Sequence, residues 1–456
     1  MNKAAASSSG HMRTRDMTQG HPLRLILAFS IPLLIGNLFQ QVYNIVDTMV
    51  AGYCIGDQAI AAIGATTSLY HLLLNAAIGL NNGYGIVLTR CFGAKRLQDM
   101  RQGIAGMLLL NIAASTLLTF ASLFFLRPLL HFLNIPDAIF DQTLTYISII
   151  CLGIAPTVIY NMCAAILRAV GNSTTPLYFL ILSCVLNIVL DLFFVVTLHM
   201  GIAGTAAATV IAQTVSALLC ALQVFRCYGA FLPRRTDFRI PANLLSDLVS
   251  TGLSMALMVC VVDMGTVIFQ RANNLLGEII IAAHTSTRRV MSVFMAPFMS
   301  IATACATFIG QNRGAQKYDR IRSTLKKTLL LEAGWAAFSA VVIFLLGAQI
   351  VRLTTGTQSD AIISNAVMAL RIHFAFYPVL GVLLCLRMAM QALGMKLAPV
   401  LSSCIELCMK ILSARLLIPR LGYLGTSITE PVTWVVMLLF LCAAFACRCR
   451  RVFPTT

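Results

Sequence analysis

Gly56-Asp57-Gln58-Ala59-Ile60-Ala61-Ala62 returns 221 residues later as Gly277-Glu278-Ile279-Ile280-Ile281-Ala282-Ala283. The same shift carries Gly93-Ala94 onto Gly314-Ala315. A constant offset over so much of a chain indicates an internal duplication. Because both copies are strongly apolar, the repeat predicts two structurally similar bundles embedded in a membrane.

The composition is that of a polytopic membrane protein. Hydrophobic residues make up 59% of the chain and charged residues only 11%, whereas soluble domains carry about 25% charged residues. The mean hydropathy is +0.85. About twelve apolar windows are long enough to cross about 30 Å of hydrocarbon. They lie near residues 23–46, 58–80, 103–126, 141–164, 176–198 and 203–225, and near 247–270, 279–310, 328–351, 363–387, 399–418 and 425–447.

These windows predict an all-α fold, because they lack strand alternation and because backbone polar groups cannot stay unpaired in lipid. The predicted architecture is twelve transmembrane helices in two pseudo-symmetric six-helix bundles. Since six is an even number, both bundles should enter the membrane from the same side. The predicted segments are a disordered tail over 1–20, an N-lobe over 21–227, a linker over 228–243, a C-lobe over 244–447 and a basic tail over 448–456.

Basic residues concentrate in alternate loops and so predict the orientation. Short cytoplasmic loops retain Lys and Arg, whereas translocated loops lose them. The basic loops contain Arg90, Lys95, Arg96 and Arg101, then Arg226, Arg234, Arg235 and Arg239, then Arg313, Lys317, Arg320 and Arg322. We therefore expect a multi-pass protein of the plasma or bacterial inner membrane with both termini in the cytoplasm. The net charge of +17 is dispersed over these loops, which argues against a nucleic-acid partner.

The sequence contains no recognisable motif for a cofactor or a catalytic metal. P-loop, GxSxG and HExxH patterns are absent. Most of the 15 cysteines stand singly in apolar windows, where Cys behaves as a small hydrophobe. We therefore expect a protein that is not an enzyme, has no cofactor, and has no metal or disulfide as part of its structure.

Polar residues inside the apolar windows are the candidates for function, since an ionisable group at membrane depth is costly without a partner or a wet cavity. The first window has such a stripe, which begins after Pro32, where we expect a weakened or kinked helix. Its members are Asn37, Gln40, Gln41, Tyr43, Asn44 and Asp47. In the fifth window, Asn187 and Asp191 are four residues apart and share a helix face.

Two readings of these first-half residues remain open. Asp47, Asn187 and Asp191 can hold Na⁺, or the two acids can share a proton. Alternatively, they serve only as interhelical hydrogen bonds. No other metal site is expected.

The second half is richer in basic residues. His284 and Arg288 are one helical turn apart, as are Glu406 and Lys410, so each pair can share a face. The Glu406 and Lys410 charges can simply neutralise each other. Asp263 has no partner near it in the sequence and is a candidate functional acid. The excess of positive charge suits a cavity for anionic or zwitterionic groups.

At this point the sequence resembles a known family. Gly36-Asn37-Leu38-Phe39-Gln40-Gln41-Val42-Tyr43-Asn44-Ile45-Val46-Asp47-Thr48 resembles the first-helix signature of bacterial multidrug and toxic compound extrusion (MATE) transporters. Arg168-Ala169-x-Gly171-Asn172-Ser173 and Asn187-x-x-x-Asp191 are similar to later motifs of that family, and so is the stretch from Ala282-Ala283-His284 to Gly310-Gln311-Asn312.

The resemblance implies a V-shaped antiporter whose two lobes rock to expose a central cavity to alternate sides. It implies that cation coupling uses Asp47, Asn187, Asp191 and a sixth-helix hydroxyl, which best matches Thr209, with Thr205 as the competitor. It also implies a cavity residue at Asn161 and a second acid at Asp263. The predicted substrate cavity contains Asn37, Gln40, Gln41, Tyr43, Asn44, Asn161, Asp263, His284 and Arg288.

The expected function is H⁺- or Na⁺-coupled antiport that exports amphipathic organic compounds. Expected partners are a small-molecule substrate and the lipid bilayer, and the protein is expected to be a monomer. A lipid-linked precursor flippase of the same superfamily is an alternative. A more remote one is a membrane-embedded enzyme that acts on a lipid phosphate through Asp263, His284 and arginines.

Overall fold

The computed structural model describes residues 14–132 and 135–452. Within these ranges the chain is built from helices and contains no strand. The α-helices of the first half are α1 (Pro22–Cys54), α2 (Asp57–Gly93), α3 (Leu97–Phe132), α4 (Asp137–Leu152), α5 (Ile154–Ala169), α6 (Thr174–Leu192) and α7 (Gly201–Cys227). Those of the second half are α8 (Ala242–Asn274), α9 (Glu278–Gly314), α10 (Tyr318–Thr355), α11 (Asp360–Ala375), α12 (Tyr377–Ala392), α13 (Leu397–Leu416), α14 (Ile418–Leu421) and α15 (Tyr423–Val452).

These helices confirm the predicted twelve-helix fold. Ten helices in the described ranges are long and apolar enough to span a membrane, and two bent pairs supply the other two spans. The pairs are α4 with α5, bent by 42°, and α11 with α12, bent by 55°. Pro156 and Pro378 stand in the first turn after each break, where the missing N–H of proline breaks no helical hydrogen bond.

The internal repeat is visible in the backbone. Helices α1 and α8 both have 33 residues, and α2 and α9 both have 37. Left-handed backbone conformations recur at the 221-residue offset: Gly56 with Gly277, Lys95 with Gln316, and Gly201 with Gly422. The two halves therefore place their turns at equivalent positions, as the sequence repeat predicts.

The chain packs as two compact units. Among the described residues, the first comprises 14–17, 31–132 and 135–256, and the second comprises 18–30 and 257–452. The boundaries therefore fall inside α1 and α8, whereas the predicted lobes divide at the linker over 228–243. In the first unit, Gly79 and Gly83 of α2 allow the start of α8 to approach closely. A Cβ would come within 2.7 Å of Ala256 Cα at Gly79 and 2.6 Å of Gly252 Cα at Gly83.

The predicted tail over 1–20 is described only from residue 14 onwards, and residues 1–13 and 453–456 lie outside the described ranges. The part that is described packs against the helices. Met17 and Thr18 are buried. Arg15 N donates to the carbonyl oxygen of Val170 at 3.0 Å, and Lys317 Nζ donates to that of Thr18 at 2.8 Å. Residues 15–18 are thus part of the packed structure.

Candidate functional site

Two acids and an amide meet in the first unit. Asp47 of α1 and Asp191 of α6 make a side-chain hydrogen bond to each other. Asp191 is fully buried and Asp47 is 8% exposed. Since an ionised carboxylate can only accept hydrogen bonds, a bond between two carboxyl groups requires a proton on one of them.

Asn187 connects this acid pair to α7. With its amide oriented to satisfy its neighbours, Asn187 donates to Asp191 Oδ2 at 3.2 Å, and its oxygen accepts from the Thr209 backbone N–H at 3.3 Å. The Thr209 hydroxyl lies 3.3 Å from the same amide oxygen and shares its hydrogen with the Thr205 carbonyl oxygen at 3.1 Å. The competing hydroxyl of Thr205 instead donates to the Ile202 carbonyl oxygen of its own helix at 2.9 Å. Thr209 is therefore the sixth-span hydroxyl at the acid pair. Asp47 Oδ1 and Asp191 Oδ1 are buried and have no hydrogen-bond partner among the described residues.

The local backbone at Asp191 is unusual. Directly after α6, Phe193–Thr197 forms a π-helical turn. Such turns are rare and are frequently found at functional sites. The sequence gives no signal for this turn, since apolar residues continue through it without a break in the pattern.

Several predicted cavity residues lie near the acid pair. Gln40 and Tyr43 of α1 line a narrow cavity of about 10 Å³ together with Asn187 and Thr209, which is about the space that one water molecule needs. Asn37 and Gln41 are half-buried on the same helix.

The other predicted residues of this unit are Asn44, Asn161 and Pro32. The side chain of Asn44 lies outside the described residues. Asn161 donates to the Thr157 carbonyl oxygen of its own helix at 2.9 Å. Helix α1 continues through Pro32, so the predicted weak point does not interrupt the helix. Pro32 directly follows Ile31, the residue at which α1 enters the first unit.

The second unit has a separate polar centre around Glu430 of α15, a residue that the sequence analysis missed. Arg288 Nη1 lies 3.1 Å from Glu430 Oε1, and His373 Nε2 lies 3.3 Å from Oε2. Glu430 is buried. It is the only acid of the last apolar window, and that position is the signal that could have revealed it.

A second group of charges lies on α12 and α13. Lys410 Nζ is 2.9 Å from Glu406 Oε1, as the helical spacing predicts, and also donates to Thr266 at 3.1 Å. Arg387 lies 3.8 Å from the other Glu406 oxygen and donates to Ser403. All three charged side chains are largely buried, so they act mainly to neutralise one another.

The predicted cavity residues of the second half, which are Asp263, His284 and Arg288, have different surroundings in this unit. His284 is buried between Phe269 and Tyr423, with edge-to-face ring contacts at 6.3 Å and 6.1 Å. Asp263 is half-buried on α8. Of the three predicted cavity residues here, the structure therefore places Arg288 in the Glu430 centre.

Comparison with known proteins identifies the family. The MatE family model matches residues 32–193 and 254–414, which covers most of both halves.

The chain belongs to the MATE family.

Known relatives are similar to this MATE protein over most of its length. It is 27% identical to the "Probable multidrug resistance protein YpnP" of Bacillus subtilis over 84% of this chain and 85% of that protein. It is 26% identical to the "DNA damage-inducible protein F" of Escherichia coli over 72% and 71% of the two chains. Members of the family are membrane transporters, so the enzyme alternative is excluded.

Solved structures confirm the two-bundle fold of MATE proteins. An "Outward-facing conformation of a multidrug resistance MATE family transporter of the MOP superfamily" aligns with a TM-score of 0.89 at 22% identity, over 96% of this chain and 98% of that chain. The structure of "a MOP superfamily transporter from Pyrococcus furiosus" aligns with a TM-score of 0.85 at 22% identity, over 94% of this chain and 97% of that chain.

Proposed function

We propose that this MATE protein is a cation-coupled antiporter that exports amphipathic organic compounds, and that the coupling ion is a proton bound by Asp47 and Asp191. Relatives named as multidrug resistance and export proteins support the export of organic compounds. The single observation that carries the coupling site is the hydrogen bond between the two carboxyl groups.

The chemistry of the pair favours a proton as the ion. Two carboxyl groups in contact repel each other when both are ionised, so the pair holds one proton in this arrangement. Loss of that proton leaves two buried like charges and destabilises the arrangement of α1 against α6. An ion drives transport only if it binds the two access states with different affinity, and a helix contact that needs a proton provides such a difference. In the proposed alternating-access cycle, the proton enters as the substrate leaves.

Na⁺ is the alternative ion. The available oxygen ligands are those of Asp47, Asp191, Asn187 and Thr209, and carboxylate and amide oxygens also suit a small hard cation. The orientation with cytoplasmic termini, the monomeric state and the lack of a cofactor remain expectations from the sequence.

The test uses the purified protein in proteoliposomes loaded with a fluorescent organic cation. Efflux is measured under a pH gradient alone and under a Na⁺ gradient alone, for the wild type, Asp47→Asn and Asp191→Asn. Asp141→Asn, an exposed acid on α4, is the matched control. We expect efflux under the pH gradient only, and its loss in both site variants. Efflux under the Na⁺ gradient alone contradicts the proton assignment, and movement of a labelled lipid instead of the dye supports the flippase alternative.

A further inference from the structure

The contact between His373 of α11 and Glu430 of α15 has a specific proton requirement. His373 Nδ1 lies 2.6 Å from the backbone carbonyl oxygen of Ala369. A carbonyl oxygen only accepts hydrogen bonds, so Nδ1 carries the hydrogen. The other nitrogen, Nε2, faces Glu430 Oε2 at 3.3 Å, and both side chains are more than nine-tenths buried.

This tautomer determines when the contact is favourable. With the hydrogen on Nδ1, a neutral imidazole presents a lone pair at Nε2. An ionised carboxylate also presents only lone pairs. The contact between His373 and Glu430 is therefore attractive only when the pair holds one additional proton.

Arg288 competes for the same carboxyl group. Its guanidinium lies 3.1 Å from the other Glu430 oxygen, but its side chain is 45% exposed whereas that of Glu430 is 8% exposed. When the His373 and Glu430 pair lacks its proton, Arg288 supplies the positive charge that the buried carboxylate needs. When the pair is protonated, His373 supplies that charge. The guanidinium of Arg288 is then available to bind another carboxylate.

The other charged and titratable groups around Glu430 do not replace these two. Lys410 of α13 also acts on Glu430 electrostatically, but it is engaged with Glu406 and Thr266. Among the described residues, His284 of α9, Tyr377 of α12 and Tyr423 of α15 also interact electrostatically with Glu430. Arg288 and His373 are therefore the two direct cationic partners of the carboxyl group.

We propose that His373 and Glu430 form a proton-binding site in the second unit, and that its proton releases Arg288 to bind a carboxylate group of the transported compound. This rests on the proposed function, and it adds that amphipathic compounds with an acidic group are substrates. The exchange is a proton-controlled change of partner for Arg288 and involves no covalent step.

The experiment compares two dyes that differ only at the carboxyl group: rhodamine B, which has a free carboxylate, and its ethyl ester. Binding to the purified full-length protein is measured by fluorescence anisotropy at pH 6 and pH 8. The quantity of interest is the ratio of the two affinities, which removes effects of pH on the shared ring system. The variants are Arg288→Gln, His373→Gln and Glu430→Gln, with His21→Gln, an exposed histidine of the same unit, as the control.

In the wild type and in His21→Gln, we expect the preference for the free acid to rise about tenfold from pH 8 to pH 6, which is about the strength of one hydrogen bond to a charged group. Glu430→Gln should show the high preference at both pH values, because Arg288 is always available. His373→Gln should lose the pH dependence, and Arg288→Gln should lose the preference.

Equal affinities for acid and ester in the wild type overturn the proposal, as does a pH dependence that survives in both His373→Gln and Glu430→Gln. If dye efflux under a pH gradient still depends on Asp47 and Asp191, only this inference fails and the proposed function stands. A variant that does not fold is recognised by its elution in gel filtration, and the other two variants then decide.

Discussion

Asp47 and Asp191 are hydrogen-bonded to each other through their carboxyl groups, although they lie on the first and sixth helices of the chain. A bond between two carboxyl groups needs a shared proton. The same contact that holds α1 against α6 is thus a contact that depends on protonation.

The first prediction concerns Asp47→Asn and Asp191→Asn. Each change keeps the shape of the side chain and most of its hydrogen bonding but removes the titratable group. We expect both proteins to reach the membrane and bind dye, yet to show no transport against a gradient. An ion that binds the two access states equally well cannot shift the equilibrium between them. Dye efflux in proteoliposomes measures this. Wild-type efflux in both variants would place coupling elsewhere, with Asp263 as the next candidate.

The second prediction separates the two hydroxyl groups of α7. Thr209→Val removes the hydroxyl that contacts Asn187 at 3.3 Å, whereas Thr205→Val removes one that bonds only within its own helix turn. Loss of a buried hydrogen bond costs about 1 kcal/mol. We therefore expect Thr209→Val to shift the pH dependence of efflux by up to about tenfold in proton concentration. A matching shift in Thr205→Val would show that the effect comes from the packing of α7.

The third prediction tests the close approach of α2 and α8. Gly83→Ala places a methyl group 2.6 Å from Gly252 Cα, so the helices must separate. Overpacking of this kind costs about 1–3 kcal/mol, and we expect a lower melting temperature in detergent. On the same helix, Gly64→Ala meets no atom within 4 Å and should leave the melting temperature unchanged or raise it slightly. Equal melting temperatures of Gly83→Ala and Gly64→Ala would contradict the close packing of α2 against α8.

The fourth prediction compares two buried acids of the second unit. Glu332 is fully buried, and neither carboxyl oxygen has a partner among the described residues. Glu430 is bonded to Arg288 and His373. Because an unpaired buried polar group costs about 1–3 kcal/mol, Glu332→Leu should raise the free energy of unfolding. Glu430→Leu leaves a buried partner unpaired and should lower it by about 3–5 kcal/mol. Thermal unfolding measures both changes. If the free energy of unfolding changed in the same direction in Glu332→Leu and Glu430→Leu, the contrast between an unpaired and a paired buried acid would be wrong.

Much of this fold follows from the sequence because lipid leaves the chain few choices. Apolar windows without strand alternation must form helices, since no water is present to pair the backbone. The 221-residue repeat then predicts two equivalent bundles. The polar stripe of α1 and the spacing of Asn187 and Asp191 also depend only on helical geometry, so the residues of the first-unit site could be named in advance.

The tertiary structure decided which of these residues meet. Helical periodicity gives the face of one helix but not its neighbour, so it could not select Thr209 over Thr205. Nor could it pair Glu430 with Arg288 and His373, which lie on three different helices. The close packing of Gly79 and Gly83 against α8 places the start of α8 in the first unit, and the hydrophilicity of the linker could not indicate that contact. The sequence by itself thus determined the helices and the chemistry they carry, and the packing determined the partners.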